Sequence, residues 1–305
     1  MAQNIDKYGI IGNMRTAALI SERGSIDMLC LPDFDSPSVF CRLLDDEKGG
    51  HFSIESKHAT TSLKQQYLPF SNILATKHIS EYGVFQIVDF FPRTKHKDSI
   101  FHSYLIRRVE CIRREMSFRL ECFPAFNYAR SKHSTTIGNC RDNAGQQCVT
   151  FTCDDGMSLE LAYTIDCGGH ETECPLVLFN KEQRDHLLGE GVTANVQLSE
   201  GHTITFILKQ GVESSPSTWP KCDSQFVEKL KVDTAEWWFS WVNHSSYRGR
   251  WREVMMRSLL TLKLLTYEPS GAIVAAPTFS IPEEIGGSRN WDYRYTWVRR
   301  KNHVS

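Results

Sequence analysis

The feature that most restricts the fold of this chain is a series of short segments, up to about residue 215, in which apolar and polar residues alternate. Met116–Cys122 and Leu159–Ile165 follow a period of two, and Val84–Phe90 and Thr203–Leu208 are further apolar strand candidates. Turn residues such as Asp154-Asp155-Gly156 separate these segments. Many short strands with turns between them, and no helical period, predict an antiparallel β-sandwich, so the fold class is mainly β.

The pattern changes after Gly211. Residues 213–220 are rich in Ser and Pro, which predicts a linker. Apolar residues then recur at helical spacing, with Asp223-Ser224 as possible N-terminal caps; they are Phe226, Leu230, Trp237 and Trp241. We therefore predict a sandwich over residues 1–215, a linker and helix over 216–246, and a further helical region over 247–305.

A second helix is predicted from about Arg250 to Leu265, and it is apolar on two sides. One side carries Trp251, Val254, Met255, Ser258, Leu262 and Leu265, and the other carries Met256, Leu260 and Leu264. Such a helix is expected to be buried among other helices. About ten large apolar side chains of the two helices would then lack partners within this chain, on the order of 15–30 kcal/mol of unrealised burial. We accordingly expect that removal of the residues after 215 raises solubility.

Composition excludes several classes of function. The 305 residues carry a net charge of −1, which predicts no nucleic-acid partner, and no apolar run is long enough to predict a membrane span. The ten cysteines are scattered and no secretory signal precedes them, so reduced thiols and a cytoplasmic location are expected. Cys167, His170 and Cys174 have a spacing seen in metal sites but supply only three ligands, and no metal or other cofactor is predicted.

The segment most informative about function is residues 275–299. It runs from a Gly- and Pro-containing loop into Asn290-Trp-Asp-Tyr-Arg-Tyr-Thr-Trp297, where four aromatic residues alternate with charged and polar ones. Aromatic faces pack on sugar rings, and planar charged groups bond sugar hydroxyls, so this segment is a candidate sugar cleft. A buried loop with structural ion pairs is the other interpretation, and the residue types alone leave both open.

The same segment resembles the signature of glycoside hydrolase family 15, in which Asn-Trp-Asp-Tyr-Arg-Tyr is followed by x-Trp-x-Arg-Asp. Residues 8–40 are similar to the trehalase-like N-terminal domain of that family, and Gly49-Gly50-His51-Phe52 fits it as well. The resemblance implies a β-sandwich, a helical linker and the beginning of an (α/α)6 barrel. It also implies hydrolysis of α-glucosidic bonds, in trehalose or in a malto-oligosaccharide or glucan, by an inverting mechanism with two glutamates.

Residue by residue, the resemblance assigns substrate-binding roles to Tyr293, Trp297 and Arg299. Tyr293 would lie near the developing oxocarbenium charge, Trp297 would pack on the sugar, and Arg299 would donate to its hydroxyls. Trp291 and Asp292, in the same segment, are further substrate-binding candidates.

No catalytic residue is assigned, because in this family both glutamates lie beyond the first barrel helix and so, by that layout, after residue 305. The chain departs from the family at Arg300, where the family has Asp, and residues 301–305 do not resemble it. We therefore expect a truncated chain that is inactive alone. The alternative function is a non-catalytic carbohydrate-binding or interaction module, and the oligomeric state stays open.

Two weaker candidates lie outside the aromatic segment. Glu283 and Glu284 form a carboxylate pair, but adjacent side chains of an extended segment point in opposite directions, so a solvated or capping role is favoured. Asp33-Phe34-Asp35 is the sandwich segment that we expect to approach the sugar pocket.

Overall fold

The computed structural model describes residues 4–59, 62–94, 103–140, 146–168, 174–211 and 223–278, together with Tyr293. A short 3-10 helix at Ile5–Lys7 precedes sixteen strands and three helices in these residues. The strands are β1 (Tyr8–Gly12), β2 (Ala17–Ser21), β3 (Ser25–Cys30), β4 (Ser38–Phe40), β5 (His51–Ser56), β6 (Ser62–Tyr67), β7 (Leu74–Ile79), β8 (Gly83–Phe90), β9 (Leu105–Arg114), β10 (Met116–Phe123), β11 (His133–Asn139), β12 (Gln147–Cys153), β13 (Ser158–Asp166), β14 (Asn180–Glu182), β15 (Gly191–Leu198) and β16 (Thr203–Gln210). The helices are α1 (Phe126–Ala129), α2 (Ser224–Val242) and α3 (Arg252–Leu264).

The strands form two antiparallel sheets. The first has the order β1-β2-β3-β5-β10-β15-β14, with β4 paired to β3, and the second has the order β11-β12-β13-β16-β9-β8-β7-β6. The four strand candidates of the sequence are β8, β10, β13 and β16, and the predicted β-sandwich is confirmed. Gly156 and Gly201 occupy predicted turns at φ values of +91° and +84°, a region that glycine enters without a steric penalty.

The two sheets enclose one large apolar core, built from the inward positions of the alternating strands. Ile54 and Phe118 of the first sheet and Phe85 and Phe206 of the second are all fully buried in it. At 6.0 Å between ring centroids, Phe85 and Phe118 are in contact across the interface between the sheets. Burial of this kind is the main favourable contribution to folding, which is why a period of two predicts this part of the chain well.

The first half of helix α2 packs on the outer face of the second sheet. Its N-terminus is capped as predicted, because the Asp223 carboxylate accepts a hydrogen bond of 2.9 Å from the Phe226 backbone amide. Val227 and Leu230 are then buried together with outward-facing sheet residues such as Phe90 and Ile106.

Helix α3 and the second half of α2 pack on the first sheet. Trp238 and Val242 of α2 and Met256, Leu260 and Leu264 of α3 share a buried cluster with sheet residues that include Leu19 and Met28. Leu264 comes very close to β1, because a Cβ atom at Gly12 would lie only 3.0 Å from its Cδ2. Glycine at this position therefore permits the close approach of helix and strand.

These contacts correct the expectation that the helices lack partners within the chain. The outer faces of the sheets are also apolar, and they receive α2 and α3. One side of α3 is nevertheless exposed, as Trp251 and Val254 are 61% and 63% accessible. The helix predicted from about Arg250 to Leu265 is confirmed as α3. Because α2 and α3 cover the sheets, removal of the residues that form them is now predicted to lower solubility, not to raise it.

The predicted Ser/Pro-rich linker, residues 213–220, lies outside the described residues. Within the part of the chain that the structure describes, no helix is both long enough and apolar enough to cross a membrane.

Candidate functional site

Of the five predicted sugar-binding residues, Tyr293 lies within the described part of the chain, and Trp291, Asp292, Trp297 and Arg299 lie outside it. Tyr293 is partly buried, and its backbone carbonyl accepts a hydrogen bond of 2.9 Å from the amide of Ala275. The signature residue is thus attached to the segment that follows α3. The structure around that segment defines the candidate site.

A short hairpin connects α3 to this attachment point. Thr266 and Ile273 form a β-bridge, the Val274 amide donates to the Leu265 carbonyl at 3.0 Å, and the Tyr267 amide donates to the Ala272 carbonyl at 2.7 Å. The intervening sequence Pro269-Ser270-Gly271 makes the turn, with Gly271 at a φ of +70°. Residues 268–271, which follow α3, therefore reverse the chain toward the sandwich.

Glu268, at the beginning of this turn, connects the hairpin to the sandwich. Its backbone amide donates to the carbonyl of Met14 at 2.8 Å. Its carboxylate accepts a hydrogen bond of 2.9 Å from Arg93 Nη2 and lies 3.4 Å from Arg15 Nε. Glu268 thus contacts the β1–β2 turn through its backbone and two arginines of the sandwich through its side chain.

The β1–β2 turn is held in shape by Asn13, which is fully buried. The Asn13 side-chain oxygen accepts hydrogen bonds of 3.1 Å from the amides of Arg15 and Thr16. Met14 adopts a φ of +70°, an uncommon conformation for a residue with a side chain. This local network presents the Met14 carbonyl and the Arg15 guanidinium toward Glu268.

Arg93 is the best buried of the arginines at this junction, with 8% of its surface accessible. Its amide donates to the Thr234 hydroxyl oxygen at 2.9 Å, and its guanidinium donates to the Asn13 carbonyl at 3.2 Å. The guanidinium also lies 4.4 Å from the centroid of the Trp237 ring. Because Arg93 contacts α2, the β1–β2 turn and Glu268 together, it fixes the relative position of the sandwich and the helices.

The segment Asp33-Phe34-Asp35 lies against the same hairpin. Phe34 is buried and packs edge-to-face on Tyr267, with ring centroids 6.2 Å apart, and Asp33 lies 3.3 Å from Arg15. Burial raises the pKa of the Tyr267 hydroxyl, and the nearby charges of Asp33 and Asp35 raise it further. The sandwich loop thus reaches the segment to which Tyr293 is attached, while its contact with sugar stays a prediction.

Arg15, Arg93 and Glu268 were not recognised in the sequence. Each is a single charged residue without motif or period, and Arg93 and Glu268 are 175 positions apart. The Gly-Asn-Met-Arg stretch, within residues 8–40 that resemble the family, contains Arg15. Nothing in this stretch indicates that Arg15 pairs with Glu268.

The remaining sequence candidates do not join this cluster. Glu283, Glu284 and His170 lie outside the described residues, and the described part of the chain holds no group of three potential metal ligands. The expectation of reduced thiols is wrong for Cys167 and Cys174, which form a disulfide; their Cα atoms are 6.0 Å apart, within the range that a disulfide can bridge. Five further cysteines of the described residues are free thiols, as expected; they are Cys30, Cys41, Cys111, Cys122 and Cys153.

Comparison with known proteins identifies the class. Residues 1–135 match the family "Trehalase-like, N-terminal", and residues 249–304 match "Glycosyl hydrolases family 15". The second match contains the segment of Tyr293, and the first contains Arg15, Asp33 and Arg93. The chain is therefore similar, at both of its ends, to the glycosyl hydrolases of family 15.

Within that class the curated relatives are trehalases. The chain is 33% identical to the trehalase of Thermoplasma volcanium over 98% of its own length and 44% of that protein. It is 32% identical to the trehalase of Thermoplasma acidophilum, over 94% of this chain and 44% of the relative. It is 30% identical to the trehalase of Mycolicibacterium smegmatis, over 97% of this chain and 43% of the relative. The chain thus spans less than half the length of these relatives.

A solved structure of the heparinase III BT4657 gene product is similar over 70% of this chain and 36% of its own, at a TM-score of 0.41 and 10% identity.

Proposed function

We propose that this chain is the N-terminal part of a trehalase, which hydrolyses the α-glucosidic bond of trehalose. The observation that carries the proposal is the similarity to trehalases over nearly the whole chain, from the sandwich to the aromatic segment. Trehalose is favoured over malto-oligosaccharides because the relatives that match so extensively are trehalases. A cytoplasmic location is part of the same proposal.

The chain's contribution to the reaction is to bind and orient the sugar. Tyr293 stabilises the positive charge that develops at the ring of the departing glucose, Trp297 packs on the sugar face, and Arg299 donates to hydroxyls. Trp291 and Asp292 complete this set. Hydrogen bonds and aromatic contacts that strengthen in the transition state lower the barrier without chemical change in the residues that make them.

The acid and base of the reaction come from two carboxyl groups in the part of a family 15 enzyme that follows the aromatic segment. One protonates the glycosidic oxygen while the other removes a proton from the attacking water, which approaches the opposite face of the sugar. An inverting pair requires a separation of roughly 6.5–9.5 Å to admit that water. By the layout of the family, neither group is expected within residues 1–305.

The proposal is tested with a chimera in which residues 1–299 of this chain replace the corresponding part of the trehalase from Thermoplasma volcanium. We expect release of glucose from trehalose by the chimera, with little release from maltose. Tyr293→Phe should lower kcat by about tenfold or more, because it removes an interaction made in the transition state. A folded chimera that cleaves neither sugar would reject the proposal, and binding without cleavage would favour the non-catalytic carbohydrate-binding module.

A further inference from the structure

We propose that Glu268 is a positioning residue of the sugar site: its carboxylate, held by Arg15 and Arg93 of the sandwich, sets the position of Tyr293. The assignment of Tyr293 as a sugar-binding residue rests on the proposed function. The structural connection between Glu268 and Tyr293 does not, because every contact that forms it lies within the described residues.

The first step of the argument is the connection from Glu268 to Tyr293. Glu268 begins the turn of the hairpin, and the hairpin is closed by the hydrogen bond between the Val274 amide and the Leu265 carbonyl. The next residue, Ala275, donates its amide to the Tyr293 carbonyl at 2.9 Å. A displacement of the turn therefore moves Ala275 and the carbonyl that it binds.

The second step is that the sandwich end of this connection is rigid. Arg93 is nearly buried, stacks on Trp237 and donates to the Asn13 carbonyl, so it cannot follow a moving carboxylate. Arg15 is oriented by Asp33 at 3.3 Å. Arg93 thus donates a charge-assisted hydrogen bond to one oxygen of the Glu268 carboxylate, which fixes geometry as well as charge, and Arg15 forms an ion pair with the other oxygen at 3.4 Å.

The third step is that the negative charge of Glu268 is required here. Lys263, in the last turn of α3, lies in the same electrostatic environment. Its pKa is lowered by burial and by the charge of Arg93, while the charge of Glu268 acts in the opposite direction. Without the carboxylate, Arg15, Arg93 and Lys263 would repel one another in a partly buried site. The hairpin would then be pushed away from the sandwich rather than only released.

The consequence is that the sandwich takes part in constructing the sugar site through contacts that do not themselves involve the sugar. It orients the segment that carries Tyr293 through a single carboxylate, from a distance in sequence of about two hundred residues.

The test is residue-resolved hydrogen–deuterium exchange on the intact 305-residue chain and its Glu268→Gln variant. Glutamine keeps the size of the side chain and the backbone amide bonded to Met14. We expect the Ala275 amide to exchange about tenfold faster or more, since a lost charge-assisted hydrogen bond favours local opening by about that factor. The Cys111 amide, bonded to the His202 carbonyl at 3.0 Å inside a sheet, should be unchanged. Glu253→Gln, an exposed carboxylate at the beginning of α3, is the matched control and should change neither amide.

A second readout separates positioning from general stability. The ring resonances of Tyr293, assigned by comparison with Tyr293→Phe, should shift in Glu268→Gln under conditions where the Cys111 amide keeps full protection from exchange.

If Glu268→Gln loses protection at Cys111 as well, the Arg15→Gln variant provides the test, because it removes only one of the two arginines that contact Glu268. An intermediate increase in Ala275 exchange would then support the proposal. Unchanged Ala275 exchange and unchanged Tyr293 resonances in a folded variant would overturn it. A failed chimera together with faster Ala275 exchange would remove the proposed function but leave the positioning intact.

Discussion

The guanidinium of Arg107 donates to the carboxylate of Asp89 at 2.8 Å, and both side chains are completely buried between the two sheets. Arg107 also donates to the carbonyls of Phe52 and Gly24, at 2.5 and 2.6 Å, so a residue of the second sheet satisfies two backbone groups of the first. Burial raises the pKa of Asp89, while the charge of Arg107 lowers it. The pair thus joins the sheets by polar contacts within an apolar core.

We predict that Arg107→Met destabilises the sandwich by about 3–5 kcal/mol, because it leaves the buried Asp89 carboxylate without its arginine partner and removes the arginine's hydrogen bonds to two buried carbonyls. The free energy of unfolding in urea measures this loss. Arg119→Met is the control. Arg119 also pairs with a carboxylate, Glu121 at 2.8 Å, but is substantially exposed, and such a pair contributes about 0–1 kcal/mol. Equal losses in the two variants would contradict the role assigned to Arg107.

Stability should fall as the pH is lowered, in part because of His78. This side chain is buried and stacked on Phe85, with ring centroids 4.6 Å apart. Burial, together with the charge of Arg107, lowers its pKa to about 4. A folded pKa below the unfolded value of about 6.5 means that the contribution is fully present above pH 6.5 and is lost as the pH falls toward 4.

Between pH 7 and pH 4, the titration of His78 lowers the free energy of unfolding by about 3 kcal/mol. We expect His78→Phe to keep the stacking and to weaken the pH dependence by that amount. Urea unfolding at a series of pH values measures both proteins. Parallel pH profiles for the two would show that His78 does not titrate in this range.

The docking of α2 is tested by two adjacent aromatic residues. Trp238 is fully buried against the first sheet, whereas Phe239 is 49% exposed. Trp238→Ala should cost about 3–5 kcal/mol through lost burial and the cavity left behind, and Phe239→Ala about 1 kcal/mol or less. Thermal unfolding distinguishes them. Similar melting temperatures for the two variants would mean that α2 is not held against the sandwich.

Removal of all residues after 211 should lower solubility, contrary to the expectation from the sequence alone. The truncation would expose the outward-facing residues Val88, Phe90, Ile106 and Ile207, which α2 covers in the full chain. We expect more binding of a hydrophobic dye and earlier aggregation on heating than for residues 1–305. A truncated protein that stays monomeric at higher concentration than the full chain would refute this docking.

An inverting hydrolysis requires two carboxyl groups, and the resemblance to family 15 assigns neither of them to residues 1–305. We therefore predict that the 305-residue chain by itself releases no glucose from trehalose or maltose. A coupled glucose assay at high protein concentration is sufficient. Glucose release that disappears in a Tyr293→Phe, Arg299→Ala double variant would show that the chain contains its own catalytic groups.

The sequence by itself determined the local elements of this protein. Alternation with a period of two identified strands such as Met116–Phe123, and helical spacing behind Asp223 identified α2, because side-chain burial repeats with the period of the backbone. It also carried the resemblance to family 15, which depends only on the order of residues.

The tertiary structure alone decided which surfaces meet. Both sides of α3 are apolar in the sequence, and only the packing shows that Met256, Leu260 and Leu264 are buried while Trp251 and Val254 are exposed. Likewise, no local pattern pairs Arg93 with Glu268 or Arg107 with the backbone of Gly24. Such contacts join residues far apart in the chain, and their geometry depends on how the sheets and helices are arranged, which a local period does not encode.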